Sequence, residues 1–126
     1  MGDGTAPRGT LYGLGVGPGD PELLTLKALR ILRAAPVLAY PAPPKGESMA
    51  RAIAAPHLPG GQIEIVIRMP LDAARFPAEE IYAAAARDIA EHLEAGRDVA
   101  ALCEGDPFFY GSFMYLFGRL APAQSV

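Results

Sequence analysis

The architecture of the chain is set near its N-terminus by the segment Thr10-Leu11-Tyr12-Gly13-Leu14-Gly15-Val16-Gly17-Pro18-Gly19-Asp20-Pro21-Glu22. Its first half is a short apolar run typical of a buried strand, and the run passes into closely spaced glycines. The Asp-Pro-Glu that follows favours a helix start, because aspartate is a good N-cap, proline fits the first turn and glutamate suits the positive end of the helix dipole. The segment therefore predicts a strand, a glycine-rich turn and a helix from Asp20 to about residue 34.

The rest of the chain repeats this alternation of strand and helix. Short apolar runs predict strands at residues 36–40, 62–67 and 99–103, and the proline-rich residues 41–44 are expected to end the first of these strands. Helices are predicted at residues 47–55, 77–96 and 109–120. Because strands that alternate with helices pair in parallel, the expected fold class is α/β, a mostly parallel sheet with helices on both faces.

Length and composition restrict the class of protein. The 126 residues correspond to one domain, which we expect at residues 9–120, between a flexible segment at 1–8 and a tail at 121–126. The net charge of −3, without a basic block, gives no electrostatic reason to expect nucleic acid, and no apolar run is long enough to cross a membrane. With a single cysteine and no signal-peptide pattern, a cytoplasmic location is expected, and no histidine, cysteine or carboxylate spacing predicts a metal site.

The glycine-rich turn at residues 13–20 is the first candidate binding loop, because ligands of parallel sheets lie beyond the carboxyl ends of the strands. It does not fit the dinucleotide pattern G-x-G-x-x-G, and no Gly-Lys-Ser/Thr of a phosphate loop follows. It carries Asp20 and Glu22 but no lysine or arginine, which disfavours a polyphosphate and favours a neutral or cationic ligand. The alternative is that Asp20 is only a helix N-cap and the glycines only a tight turn.

The second candidate loop follows the predicted strand at residues 99–103 and reads Glu104-Gly105-Asp106-Pro107, with aromatic residues after it. The glycine exposes backbone, and an aromatic ring can stack on a flat group such as adenine. The alternative is that Asp106 caps a helix and the aromatic residues belong to the core.

Both loops resemble signatures of a known family. Residues 11–28 and 102–112 are similar to the two conserved motifs of the tetrapyrrole (corrin/porphyrin) methylases, and the resemblance extends over residues 9–120. Residues 35–41 and 103–116 are most similar to the branch of that family that methylates C20 of precorrin-2 in cobalamin biosynthesis. The resemblance implies the N-terminal half of a two-domain tetrapyrrole methylase, with S-adenosyl-L-methionine as cofactor and a tetrapyrrole as substrate.

The resemblance also implies roles for individual residues. Pro18 would line the cofactor cleft, Glu104, Gly105 and Asp106 would contact the cofactor, and Phe109 would lie beside it. Asp20 would be the catalytic residue, as a proton acceptor, although an N-cap explains the same residue.

The tetrapyrrole substrate carries many carboxylates, so we expect basic residues at the rim of the site. Candidates near the ends of the second and third predicted strands are Lys45 and Arg51, with Arg68 and Arg75 in similar positions. The alternative for each of these residues is an ordinary solubilising surface charge.

Other functions stay open at this stage. One alternative is a methylase that acts on cobalt-precorrin-2, on another corrin carbon or on a substrate outside the tetrapyrroles. A second alternative is a non-catalytic α/β binding module. Because the resemblance covers one domain of a two-domain enzyme, we expect the second domain to be absent. We also expect the 126 residues to be inactive alone and the full-length enzyme to be a homodimer.

Overall fold

The computed structural model describes residues 9–15, 24–68, 79–103 and 123–125. Their strands form one five-stranded sheet with the order β3-β2-β4-β1-β5, in which every pair is parallel. The strands are β1 (Leu11–Gly15), β2 (Val37–Ala42), β3 (Ile63–Arg68), β4 (Val99–Cys103) and β5 (Ala123–Ser125). The helices are α1 (Leu26–Ala34), α2 (Met49–Ala54) and α3 (Glu79–Glu94), and a 3₁₀ turn, Ala55–His57, follows α2.

Helices cover both faces of the sheet, as the sequence predicted. On one face, Leu38 and Leu102 pack with Leu32 of α1 and Ile53 of α2 in a continuous buried cluster. Because side chains alternate along a strand, the neighbouring residues of β2 and β4 point to the opposite face, where α3 packs through its buried side chains. This double burial explains why these strands are apolar throughout instead of alternating.

Strand β2 extends two residues beyond its predicted end. It pairs with β3 along its whole length, through Pro41 and Ala42, whereas its pairing with β4 stops at Ala39. At Pro41 the strand therefore has one open side, and a residue without an N–H group is tolerated there. The prediction that residue 41 ends the strand is wrong for this reason.

Helix α1 begins later than predicted. Its N-cap is Thr25, whose side-chain oxygen accepts a hydrogen bond from the Ala28 N–H, and its first residue is Leu26. The buried residues Ala28 and Leu32 confirm the predicted apolar stripe. The predicted start at Asp20 is wrong, because the Thr25 hydroxyl, five residues further along, satisfies one of the free N–H groups at the start of this helix.

The end of α3 anchors the start of β1. Gly96 adopts φ +84° and closes the helix, as its position in the sequence predicted. The next turn then binds β1: the Gly9 N–H donates to the Leu93 carbonyl, and the Thr10 N–H donates to the Asp98 carboxylate at 2.8 Å. The pairing of β1 with β4 therefore begins from a fixed position.

Strand β5 was not predicted. Residues 123–125, assigned from the sequence to a tail, pair with residues 11–13 at the outer side of β1. Ala-Gln-Ser has no strand pattern of its own, and the pairing depends on the open edge that β1 supplies. The predicted last helix at residues 109–120 lies outside the described residues. None of the three helices in the described ranges has the length and apolar character needed to cross a membrane.

Candidate functional site

The carboxyl ends of β1 and β4 lie side by side. In the parallel register Gly15 is the partner of Cys103, and these are the last residues of their strands. Neighbouring strands are about 4.8 Å apart. The glycine-rich loop after β1 and the Glu-Gly-Asp-Pro loop after β4 therefore leave the same edge of the sheet from neighbouring positions.

No described residue crowds the backbone on the β1 side of this edge. Gly15 is exposed, and a Cβ atom added to it would meet no atom of the described residues within 4 Å. Within the described part of the chain, the space beside Gly15 is therefore large enough for the close approach of a ligand to the backbone.

The predicted cofactor residues themselves lie outside the described residues: Pro18, Asp20, Glu104, Gly105, Asp106 and Phe109. Their roles stay predictions. The structure does bear on one alternative, because the N-cap of α1 is Thr25. Capping of α1 therefore does not account for Asp20.

A second polar group lies on the face of the sheet that carries α2. Glu64 of β3 accepts hydrogen bonds from Arg51 Nε at 2.6 Å and Nη2 at 3.1 Å, so the guanidinium binds both carboxylate oxygens. The buried Tyr40 of β2 donates its hydroxyl hydrogen to the same carboxylate at 2.6 Å. These three residues join α2 to β2 and β3, the two strands at one end of the sheet.

The electrostatics of this group follow from its hydrogen bonds. The bonds from Arg51, and then from Tyr40, hold the pKa of the Glu64 carboxyl below its ordinary value. Burial, together with the hydrogen bond to Glu64, raises the pKa of Tyr40 to about 12. Tyr40 is therefore a protonated donor at neutral pH, and Glu64 is a charged acceptor.

Beside this group lies a cavity of about 550 Å³, which we call the edge pocket. It is formed by the ends of β2 and β3, the loop between β2 and α2, and one side of α2. Its lining residues are Tyr40, Ala42, Gly46, Glu47, Ser48, Arg51, Ala52, Ala55, Val66 and Arg68. A volume of this size is in the range of small-molecule binding sites.

The wall of the edge pocket is held by side-chain to backbone bonds. Ser48 caps α2 by accepting from the Arg51 N–H, and its hydroxyl donates to the Pro41 carbonyl at the end of β2. Arg68 Nη1 donates to the carbonyls of Pro43 at 3.0 Å and Gly46 at 2.6 Å. The loop between β2 and α2 is therefore fixed against the end of β3.

Of the four candidate substrate contacts, Arg75 lies outside the described residues, and Lys45 and Arg51 differ in their surroundings. Arg51 lines the edge pocket, but its Nε and Nη2 atoms are already paired with Glu64. Lys45 is exposed on the loop between β2 and α2 and does not line the pocket. The structure thus brings Arg51, but not Lys45, to this pocket.

Sequence reasoning missed Tyr40 and Glu64. The alternation in β3 indicates only that Glu64 and the isoleucines beside it point to opposite faces. Which face carries Arg51 depends on where α2 packs, and no local pattern contains that information.

Comparison with known proteins now identifies the family. Residues 10–125 match the family model for tetrapyrrole (corrin/porphyrin) methylases. The chain belongs to this family. The match covers both candidate loops and all five strands of the parallel sheet.

Curated relatives of this tetrapyrrole methylase include proteins of cobalamin biosynthesis. The cobalamin biosynthesis protein CobIJ of Mycobacterium tuberculosis is 50% identical over 121 residues, which cover 90% of this chain and 24% of the relative. The precorrin-2 C(20)-methyltransferase of a Sinorhizobium species is 44% identical over 121 residues, which cover 90% of this chain and 49% of the relative. The chain thus spans at most about half the length of these two relatives.

A solved structure supports the fold. The uroporphyrin-III C-methyltransferase of Thermus thermophilus, determined with S-adenosyl homocysteine, superposes with a TM-score of 0.64 at 30% identity, covering 94% of this chain and 47% of that one. The parallel α/β architecture predicted from the sequence is confirmed.

Proposed function

We propose that this chain is the cofactor-binding half of an S-adenosyl-L-methionine-dependent methyltransferase that methylates C20 of precorrin-2. The observation that carries the proposal is the register of β1 and β4, which starts the two family motifs from neighbouring strand ends. The relatives named as a precorrin-2 C(20)-methyltransferase and as a cobalamin biosynthesis protein support this choice of substrate.

The residues of the two loops fit the proposed cofactor chemically. Neither loop carries a lysine or arginine, so neither repels a positive sulfonium, and the exposed Gly15 leaves room for close approach. Pro18, Glu104, Gly105, Asp106 and Phe109 are the proposed contacts. When bound, S-adenosyl-L-methionine supplies a methyl group that a carbon nucleophile can accept as the carbon–sulfur bond breaks.

The chain itself would contribute binding, orientation and proton transfer. Methyl transfer to a carbon requires the nucleophile, methyl carbon and sulfur to be nearly in line, and two loops that leave adjacent strands can fix that alignment. The carbon that gains the methyl group loses a proton, and Asp20 is the proposed acceptor. Because Thr25 caps α1, the carboxylate of Asp20 is not needed for that cap.

Calorimetric titration with S-adenosyl-L-homocysteine tests the cofactor site on the complete product of the reading frame. Asp106→Ala and Gly105→Val should each weaken binding about tenfold or more, since they remove a proposed polar contact or fill the space of the backbone approach. Asp88→Asn, on the exposed side of α3, is the matched control and should bind as the unchanged protein does.

Product analysis then tests the reaction. Precorrin-2 and methyl donor should give a product one methyl group heavier, with the new carbon assigned to C20 by NMR. Methylation at another carbon, or only of cobalt-precorrin-2, would assign the chain to a different methylase of the family. Absence of S-adenosyl-L-homocysteine binding in the complete product would instead leave a non-catalytic binding module.

Titration of the 126-residue chain beside the complete product tests whether these residues act alone. We expect weak binding and no turnover from residues 1–126. A homodimer and a cytoplasmic location stay predictions.

A further inference from the structure

We infer that the edge pocket binds a carboxylate-bearing ring of the tetrapyrrole substrate, with Arg68 as its anion contact. The inference rests on the proposed function for the identity of the ligand. The structure supplies the other three parts of the argument: the pocket, the cation that lines it, and the distance from the pocket to the strand ends that precede the cofactor loops.

The first argument is the position of the pocket. Its floor includes Ala42 and Arg68, the last residues of β2 and β3, and these lie at the same edge of the sheet as the loops after β1 and β4. Strand β2 lies between β3 and β4, so the end of β3 is two strand spacings, roughly 10 Å, from the end of β4. A tetrapyrrole macrocycle can span that distance with one ring in the pocket and another beside the cofactor loops.

The second argument is the difference between the two arginines of the pocket. The Nε and Nη2 atoms of Arg51 are both paired with Glu64, so this edge of its guanidinium is occupied. The hydrogen bonds of Arg68 to the described residues use Nη1 and run to backbone carbonyls. Its Nε–Nη2 edge makes no bond to the described residues, and this is the edge that pairs with both oxygens of a carboxylate.

The third argument is rigidity. Because Nη1 is tied to the carbonyls of Pro43 and Gly46, the guanidinium of Arg68 is already oriented before a ligand arrives. A side chain that is held in its binding orientation loses less conformational entropy on association. The buried ring of Tyr40 and the methyl groups of Val66 supply apolar surface beside the cation, which suits the hydrocarbon part of a pyrrole ring.

The charges around the edge pocket determine which substitutions should strengthen carboxylate binding and which should weaken it. Glu64 neutralises Arg51, and the exposed Glu47 in the lining opposes an incoming anion. Removal of the Glu47 charge should therefore tighten carboxylate binding, whereas removal of the Arg68 charge should weaken it. A purely structural role for Arg68 predicts no effect of Glu47.

The test is spectroscopic titration of the complete product of the reading frame with uroporphyrin III, a stable tetrapyrrole that carries two carboxylates on every ring. At low salt, Arg68→Gln should raise the Kd about tenfold or more, and Arg68→Lys should recover part of the loss because lysine keeps the charge without the fork. Glu47→Gln should lower the Kd about twofold. Arg87→Gln on the exposed side of α3 is the matched control and should leave the Kd unchanged.

A parallel titration with S-adenosyl-L-homocysteine separates the two proposals. An unchanged uroporphyrin Kd for Arg68→Gln, or no uroporphyrin binding by the unchanged protein, overturns the pocket inference while cofactor binding still supports the proposed function. If the unchanged protein does not bind S-adenosyl-L-homocysteine, the proposed function is contradicted. The effect of Arg68→Gln on the uroporphyrin Kd still tests the pocket inference in that case. If Arg68→Gln does not fold because the loop is released, the absence of any gain with Glu47→Gln overturns the inference.

Discussion

Substitution of Glu64 by alanine should destabilise the chain by about 2 kcal/mol. The pair with Arg51 contributes about 0.5–1 kcal/mol, because its two side chains are 39% and 31% exposed and solvent screens the attraction. The hydrogen bond from the buried Tyr40 hydroxyl to a charged acceptor contributes about 1.5 kcal/mol. Both contributions are lost together in Glu64→Ala, and the tyrosine hydroxyl is left without this acceptor.

A double-mutant cycle isolates the buried part of this effect. Tyr40→Phe alone should cost about 1–1.5 kcal/mol, but in the Glu64→Ala background it should cost almost nothing, since the acceptor is already gone. The coupling energy should therefore be about 1 kcal/mol or more. Urea denaturation followed by far-UV circular dichroism measures each free energy of unfolding, and the m-values of the variants should agree.

Glu91→Ala on the exposed side of α3 is the control and should change the free energy of unfolding by less than about 0.5 kcal/mol. A coupling energy below about 0.3 kcal/mol would refute the reasoning, because Tyr40 and Glu64 would then act independently.

Three further predictions concern pH and packing. The hydrogen bonds to Glu64 lower the pKa of its carboxyl, so the charged carboxylate should contribute its full stabilisation above about pH 4.5. This stabilisation should be lost as the pH falls through the lower pKa of the folded state. Glu64→Gln should remove that part of the pH dependence of the free energy of unfolding, measured by urea denaturation. Gly9→Ala would place a Cβ atom 2.1 Å from the Arg97 carbonyl oxygen, so the free energy of unfolding should fall by about 1–3 kcal/mol. A Cβ atom at Gly15 would meet no described atom within 4 Å, so Gly15→Ala should change the free energy of unfolding little. Equal effects of the two substitutions would contradict this packing argument. Leu102→Ala empties a fully buried site and should cost about 3 kcal/mol in the same assay, and a loss below 1 kcal/mol would mean that the core closes around the gap.

Most of the fold was predictable because its signals are local. The strands predicted at residues 36–40, 62–67 and 99–103 agree with β2, β3 and β4 to within two residues at each end, and the spacing of apolar residues identified α3 with its glycine end. Two predicted boundaries were wrong, one because a second local cap signal lies further along the chain and one because of how the strands pair. Thr25 caps α1 in place of Asp20, and the open side of β2 tolerates Pro41.

The candidate site was only partly predictable, for a related reason. Motif resemblance indicated both loops, and the sequence predicted Arg51 as a candidate substrate contact, but neither gave the partner of Arg51. That partner, Glu64, is 13 residues away and belongs to the next strand. The pairing of Glu64 with Arg51 depends on how α2 packs on the sheet.

By itself, the sequence determined the alternation of strands and helices, the double burial of the central strands and the two family motifs, because backbone preferences and hydrophobic burial act over a few residues. Tertiary structure alone decided the strand order, and with it the adjacency of Gly15 and Cys103 and the pairing of Arg51 with Glu64. These relations join residues far apart along the chain. They depend on which faces and edges can be buried together, and no local segment carries that information.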